Sequence, residues 1–328
     1  MLETILNHTS FILFRSNKKM SLIGKGLTIH KTHLFDINRR VTAFATQESW
    51  KKAPHATYLY EPDITDFHNF YLKIRSKLEK NSSITFTVIM IKAIGEALKE
   101  SPKLNSLLHY NYKNAVGKHH HLKEISIATP WLLPDFRMIS PVIHDVGNMS
   151  IHEIADEIEN IRRKIKNTNV EVMQYFVAKS ELFYNLRHFK LGVIRQLFSS
   201  FIGKNRVNIS KKLKKEYINT PDKDKITSRD IFDASVLVSN LGSVFKNQRG
   251  GITLLDLISP QVFAIAINAI QERPGIYTTS KGEKKIGIRK ILPLTLTIDH
   301  RALDGADFVP FQNSLDKFFS NPKYLEKW

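Results

Sequence analysis

In the stretch PLTLTIDHRALDGADF, residues 293 to 308, an apolar, β-branched run ends on His300. Asp304 follows four residues on, with Gly305 beside it. Unperturbed imidazole titrates near neutrality, so a histidine held at a strand end suits a general base. A core histidine bonded to backbone would occupy the same place, and position alone does not separate the two. A second polar group lies upstream in VLVSNLGS, where Ser239 precedes Asn240. Serine before Asn-Leu-Gly is ordinary turn chemistry.

Other polar clusters carry less. KHHHLKE, residues 118 to 124, offers three consecutive histidines. Adjacent side chains of an extended chain point in opposite directions, so they do not converge on a metal, and a solvated turn is expected. No metal site is predicted. There is no Gly-rich phosphate loop. The absence of cysteine excludes disulfides, a zinc–thiolate centre and a cysteine nucleophile.

The elements that must position these groups follow from periodicity. RRVTAFATQESWKKA, residues 39 to 53, has helical spacing with Val41, Phe44, Ala45 and Trp50 apolar, and Pro54 stops it. HATYLYEPDIT alternates as a strand. A helix over 66–80 is expected to start on Asp66 as N-cap. SSITFTVIMIKAIGEALKES, 82 to 101, predicts a buried helix with Thr87 and Lys92 as polar breaks. LNSLLHYNYKNAVGK reads as two short strands about a turn, and EISIATPWLL and MISPVIHDV as further strands. Residues 149–165 predict an amphipathic helix with Ile151, Ile154, Ile158, Ile161 and Ile165 on one face. Strands return at 234–243, 261–274 and 288–300. A closing helix carries Pro310 in its first turn. The mix predicts an α+β fold, a large mixed sheet covered by helices on one side.

Residues 1–26 are expected to form an N-terminal extension, and Met20 is an alternative start. The main domain is expected over 27–328, interrupted at 175–225 by a helical basic insertion. There Leu182, Leu186, Phe189, Val193, Leu197 and Phe201 form an apolar stripe beside a lysine-rich run. The formal net charge is +18, which favours acidic partners. KKLKK, 211 to 215, comes without a nucleic-acid-binding module, so nucleic acid is not expected as the partner. No apolar run reaches the roughly 18 residues of a membrane span. Residues 1–20 lack a signal-peptide pattern, so a cytoplasmic, membrane-peripheral location is expected.

LPLTLTIDHRALDGADF resembles the active-site signature of the catalytic domain of dihydrolipoamide acyltransferases, the acyltransferase components of 2-oxoacid dehydrogenase complexes. That signature is His-Arg-x-x-Asp-Gly after an apolar strand; chloramphenicol acetyltransferase shares its His-x-x-x-Asp-Gly core. The likeness extends in order through RRVTAFATQESWKKAPHATYLYEPDIT, FTVIMIKAIGEALKESPKLNSLL, ISPVIHDVGNMSIHEIADEI and VLVSNLGS.

The resemblance implies a chloramphenicol acetyltransferase-like two-layer sandwich and an acyl transfer without a covalent enzyme intermediate. It makes His300 the base and Ser239 the oxyanion donor. It pairs Asp304 with an entry-helix arginine, for which Arg39 is the best match and Arg40 its neighbour, with Gly305 and Asn240 supporting the site. It implies coenzyme A as substrate, no metal, and a homotrimer whose sites lie between subunits. No lipoyl domain is legible in the sequence, so the lipoyl group is expected in trans. The 175–225 insertion is expected to meet an acidic acyl carrier protein, a lipoyl protein or an anionic membrane surface. The same residues would serve a hydroxyl acceptor, and a non-catalytic assembly or membrane-surface module is the remaining alternative.

Overall fold

The computed structural model describes residues 30–77, 83–134, 137–187, 209–279 and 281–327, with backbone only at 37 and 181–187. Helix α1, Ile37–Lys52, starts on Asp36, whose carboxylate accepts the Arg39 N–H at 2.7 Å. This side-chain acceptor satisfies one of the orphan donors of the first turn. Strand β1, His55–Tyr60, follows Pro54 directly. Helix α2, Thr65–Arg75, is not capped by Asp66 as expected. Asp63 receives the Thr65 N–H at 2.9 Å instead, because it is the carboxylate that precedes the turn.

Helix α3, Phe86–Lys99, is the buried helix of the sequence, capped by Thr85 and covered from Val88 to Leu98 except at Glu96. Its Lys92 is buried yet satisfied: Nζ donates to the Met149 carbonyl at 2.6 Å and pairs with Glu96 at 2.6 Å. A buried cation without such partners would be costly. Strands β2, Ser106–Asn111, and β3, Val116–His121, form a hairpin. KHHH therefore lies in a strand, not in a solvated turn. Four two-residue strands follow: β4 Ile127–Ala128, β5 Trp131–Leu132, β6 Met138–Ile139 and β7 Val142–Ile143.

Helix α4, Ile151–Lys166, opens on a capping box of Ser150 and Glu153 and buries the predicted isoleucine face. Helix α5, Val170–Arg187, begins before the expected insertion, and α6 is Lys211–Asn219. Of the predicted stripe, Leu182 and Leu186 lie on α5 without described side chains. Phe189, Val193, Leu197 and Phe201 lie outside the described residues. Then come β8, Val236–Asn240, β9, Phe263–Ile267, and the long ribbon β10, Gln271–Thr278, with β11, Lys284–Ile291. Strand β12, Leu294–Asp299, and helix α7, Val309–Ser320, with proline in its first turn, complete the series.

The main sheet has six strands in the order β1-β12-β9-β8-β4-β7. β8 runs parallel to β9 and β4, and the other pairs are antiparallel. Alternation sorts its faces. Val236, Val238, Phe263, Ile265, Leu294, Leu296 and Ile298 join the core under the helices. Leu237 and Ala264 face the other way, against Leu257. Segment 250–258 straps this second face: Leu255 N–H donates to Thr297 Oγ1, Thr295 Oγ1 to the Ile252 carbonyl, and Leu257 N–H to His55 Nε2. The architecture is the expected α+β, a helix-covered mixed sheet.

Candidate active site

His300 stands where β12 ends. Asp299 and His55 are opposite in the β12–β1 register, and the His300 N–H donates to the Pro54 carbonyl at 2.9 Å. The chain then turns tightly: Ala302 and Leu303 N–H donate to the Asp299 carbonyl at 3.0 and 3.1 Å. Leu303 is drawn into the core, 2% exposed, and its carbonyl lies 3.0 Å from His300 Nδ1. A carbonyl only accepts, so Nδ1 carries the proton. Nε2 is left as the acceptor of a neutral imidazole. The His300 side chain is 53% exposed, so that nitrogen is open to a substrate.

Asp304 sits at the rim, 81% exposed, with Oδ1 at 3.4 Å from His300 Nδ1. It does not meet Arg39, and among the described residues Arg39 forms no ion pair. The reason is length: Arg39 lies 13 residues before the α1 terminus that abuts the His300 elbow, and at ~1.5 Å per residue that is ~20 Å. Gly305 opens the turn Gly305–Phe308, with open space where a Cβ would lie. Asp307 closes that turn by accepting the Asp304 N–H at 2.8 Å and ties it to the α3–β2 loop through Lys103 at 2.8 Å. Burial would raise the Asp307 carboxyl, but these two donors hold it below the usual carboxylate range.

Ser239 is buried at 7% on β8 and points to the strapped face. Its neighbour Asn240 donates from Nδ2 to Thr87 Oγ1 at 2.8 Å and accepts the Ser243 N–H at 3.1 Å. Thr87, a polar break in the helical pattern, thus anchors the turn after Ser239. Gly242 is required there: a Cβ would fall 2.7 Å from the Asn268 carbonyl and 2.8 Å from Ala269 Cα.

Within one chain the two candidate groups stay apart. Ser239 is in register with Ala266, and Ala266 with Thr295. His300 lies five residues beyond Thr295 and two strands across, which at ~3.3 Å per residue and ~4.8 Å per strand puts it ~19 Å from Ser239. They mark opposite ends of the sheet.

Asp299, Arg301 and Thr87 carry structural weight that the sequence reading did not assign. Asp299 is 2% exposed and its carboxylate is gripped by Arg301 Nε at 2.9 Å and Nη2 at 2.5 Å. A charge at the end of an apolar strand with an opposite charge two residues on was the available signal. The histidines of β3 divide by face: His119 and His121 rings stand 4.7 Å apart, while His120 meets His109 across the hairpin. No cluster able to hold a metal occurs among the described residues.

The fold and this elbow define an acyltransferase-type two-layer domain. The model of the 2-oxoacid dehydrogenases acyltransferase (catalytic domain) matches residues 30–175 and 199–326, and the chain belongs to that family. Among curated relatives, a dihydrolipoyllysine-residue acetyltransferase component of the pyruvate dehydrogenase complex from Staphylococcus epidermidis is 25% identical over 289 residues, 88% of this chain and 50% of its own length. One from Buchnera aphidicola is 24% identical over 98% of this chain and 65% of its own length. The chain thus spans roughly half to two thirds of these relatives. The solved cubic core of a pyruvate dehydrogenase multienzyme complex aligns with TM-score 0.60 at 20% identity, covering 92% of this chain and 96% of that one. A dihydrolipoamide acetyltransferase from Azotobacter vinelandii also aligns at 0.60, with 21% identity and the same coverages.

Proposed function

We propose that the protein transfers an acyl group between coenzyme A and the thiol of a dihydrolipoamide-type arm, with His300 as general base. The observation that carries this reading is the Nδ1–Leu303 bond, which leaves an exposed Nε2 as proton acceptor. His300 Nε2 takes the proton of the attacking thiol. The thiolate adds to the thioester carbonyl carbon and its oxygen becomes an oxyanion. The Ser239 hydroxyl donates to that oxyanion. Collapse expels the second sulfur, which recovers the proton from the imidazolium. Such a base contributes about 10²–10⁴-fold, and one oxyanion donor about 10²–10³-fold.

The ~19 Å between Ser239 and His300 means the serine must come from another copy. The Ser239 end of one chain meeting the His300 end of the next is a heterologous contact, which builds a ring when its rotation closes, as a three-fold rotation does in a homotrimer. Val41, Phe44 and Trp50 of α1 are 48%, 49% and 56% exposed in the single chain, apolar surface that assembly would cover. The acceptor's carrier is proposed to be acidic. On α6, Lys211, Lys212 and Lys215 are exposed and form no ion pair among the described residues, while Tyr217 stacks on Phe176 and holds the helix in place. The test is turnover of acetyl-CoA with dihydrolipoamide by the full chain. No acyl transfer to this or any other thiol would sink the reading.

A further inference from the structure

The Asp299–Arg301 pair is built more elaborately than a surface turn requires. Asp299 has every polar group engaged, and its carbonyl and carboxylate are taken by residues 301–303 beside His300. Its N–H donates to the Val262 carbonyl at 2.9 Å, and its carbonyl takes the Ala302 and Leu303 N–H groups. Oδ1 accepts the Arg301 N–H at 3.0 Å as well as Nε, and Oδ2 accepts Nη2. The guanidinium lies over the Tyr110 ring, 5.5 Å from its centroid, so the β2–β3 hairpin backs the elbow. What this arrangement fixes is the Leu303 carbonyl, and that carbonyl at 3.0 Å, nearer than Asp304 Oδ1 at 3.4 Å, is the main acceptor that sets which ring nitrogen of His300 carries the proton. A neutral histidine free of such a partner prefers its proton on Nε2, the nitrogen the reaction needs vacant.

We propose that Asp299 and Arg301 are positioning residues: their ion pair holds residues 300–303 so that Leu303 C=O binds His300 Nδ1–H and Nε2 stays the free acceptor. This rests on the reading of His300 as the base. Neither residue touches substrate. A loosened elbow displaces the base, and a misplacement of about 1 Å costs about 10²-fold. A merely structural pair would change melting temperature and leave the tautomer alone.

The test uses the full chain with acetyl-CoA and dihydrolipoamide as probes. Arg301→Gln leaves Asp299 charged and buried, which risks the fold. The double variant Asp299→Asn/Arg301→Gln removes both charges together. In the folded double variant kcat should fall about 10²-fold with KM for acetyl-CoA little changed. Nitrogen-15 spectra of histidine-labelled protein, above the titration of His300 and assigned against His300→Gln, give the second readout. Wild type should show His300 protonated on Nδ1, and the double variant should gain the Nε2–H form. A folded double variant with wild-type kcat overturns the proposal. So does lost turnover with the Nδ1–H tautomer intact. If neither variant folds, the wild-type spectrum decides, and an Nε2–H His300 there refutes the idea. Absence of transfer by wild type would sink the functional reading but not this tautomer result.

Discussion

At the scale of the residue, the chemistry reduces to which atoms are left free. His300 has its main-chain N–H and its Nδ1 engaged, and only Nε2 open. Its side chain is half exposed, so His300→Ala should leave the melting temperature within a degree or two while lowering kcat at least about 10²-fold. Retention of more than about a tenth of the rate would rule out the general-base role. Ser239→Ala should lower kcat by about 10²–10³-fold with KM unchanged, since the hydroxyl acts on charge that exists only in the transition state. A raised KM at constant kcat would make Ser239 a shaper of the turn. The Arg39 ion pair expected for Asp304 is not formed, and the carboxylate instead lies near the protonated nitrogen of His300.

Elements carry these atoms to their places, and two of their joints are open to measurement. The turn after β8 tolerates no Cβ at Gly242, since backbone of 268–269 lies against it. Gly242→Ala should therefore cost about 1–3 kcal/mol by thermal or denaturant unfolding, and should reduce turnover through Ser239. An unchanged stability would mean the close approach is not maintained in solution. The second joint staples 209–231 to α4 through Lys164 Nζ and Asp230 Oδ1 at 2.7 Å, both side chains about 15% exposed or less. Burial would raise the Asp230 carboxyl, but Lys164 and Thr227 together hold it below the usual range. The sign follows: a carboxyl depressed in the fold stabilises above its unfolded pKa and loses that contribution as pH falls through the folded value. Asp230→Asn should destabilise by about 1.5–3 kcal/mol at pH 7, with the difference from wild type shrinking below pH ~4. A pH-independent difference would place the effect elsewhere.

For the whole molecule the decisive expectation concerns assembly. If the site is shared between neighbouring copies, mixing the inactive His300→Ala and Ser239→Ala chains under exchange conditions should restore part of the activity, because some interfaces then pair an intact histidine with an intact serine. Light scattering should give a trimer or a multiple of it. A fully active monomer, or mixtures that stay dead despite proven exchange, would refute the shared site. Replacing Lys211, Lys212 and Lys215 by Glu should weaken docking of an acidic lipoyl or acyl carrier protein at low salt, where exposed charges act most strongly. Binding that persists unchanged would remove α6 from the docking surface.

Strand and helix existence was written in local periodicity, which is why α3, α4 and α7 fall where the apolar spacing put them, whereas the strand expected over 288–300 divides into the end of β11 and β12 at Leu292 and Pro293. The candidate pair, His300 and Ser239, stood out only through the family resemblance, since a strand-end histidine and a turn serine are ordinary by residue type and position. What the chain order alone left open was everything that depends on distance. Arg39 looked adjacent to Asp304 by resemblance, yet the rise of α1 sets Arg39 ~20 Å back from the helix end that abuts the His300 elbow. Asp66 looked like a cap, but a carboxylate caps only from the residue facing the free N–H groups, and that is Asp63. Asp299, Arg301 and Thr87 read as a strand end, a signature letter and a helix break, and only strand register and side-chain reach turn them into the braces of the site. Periodicity is a local property of the chain. Register, and the separation it sets between His300 and Ser239, is fixed by which strands pair.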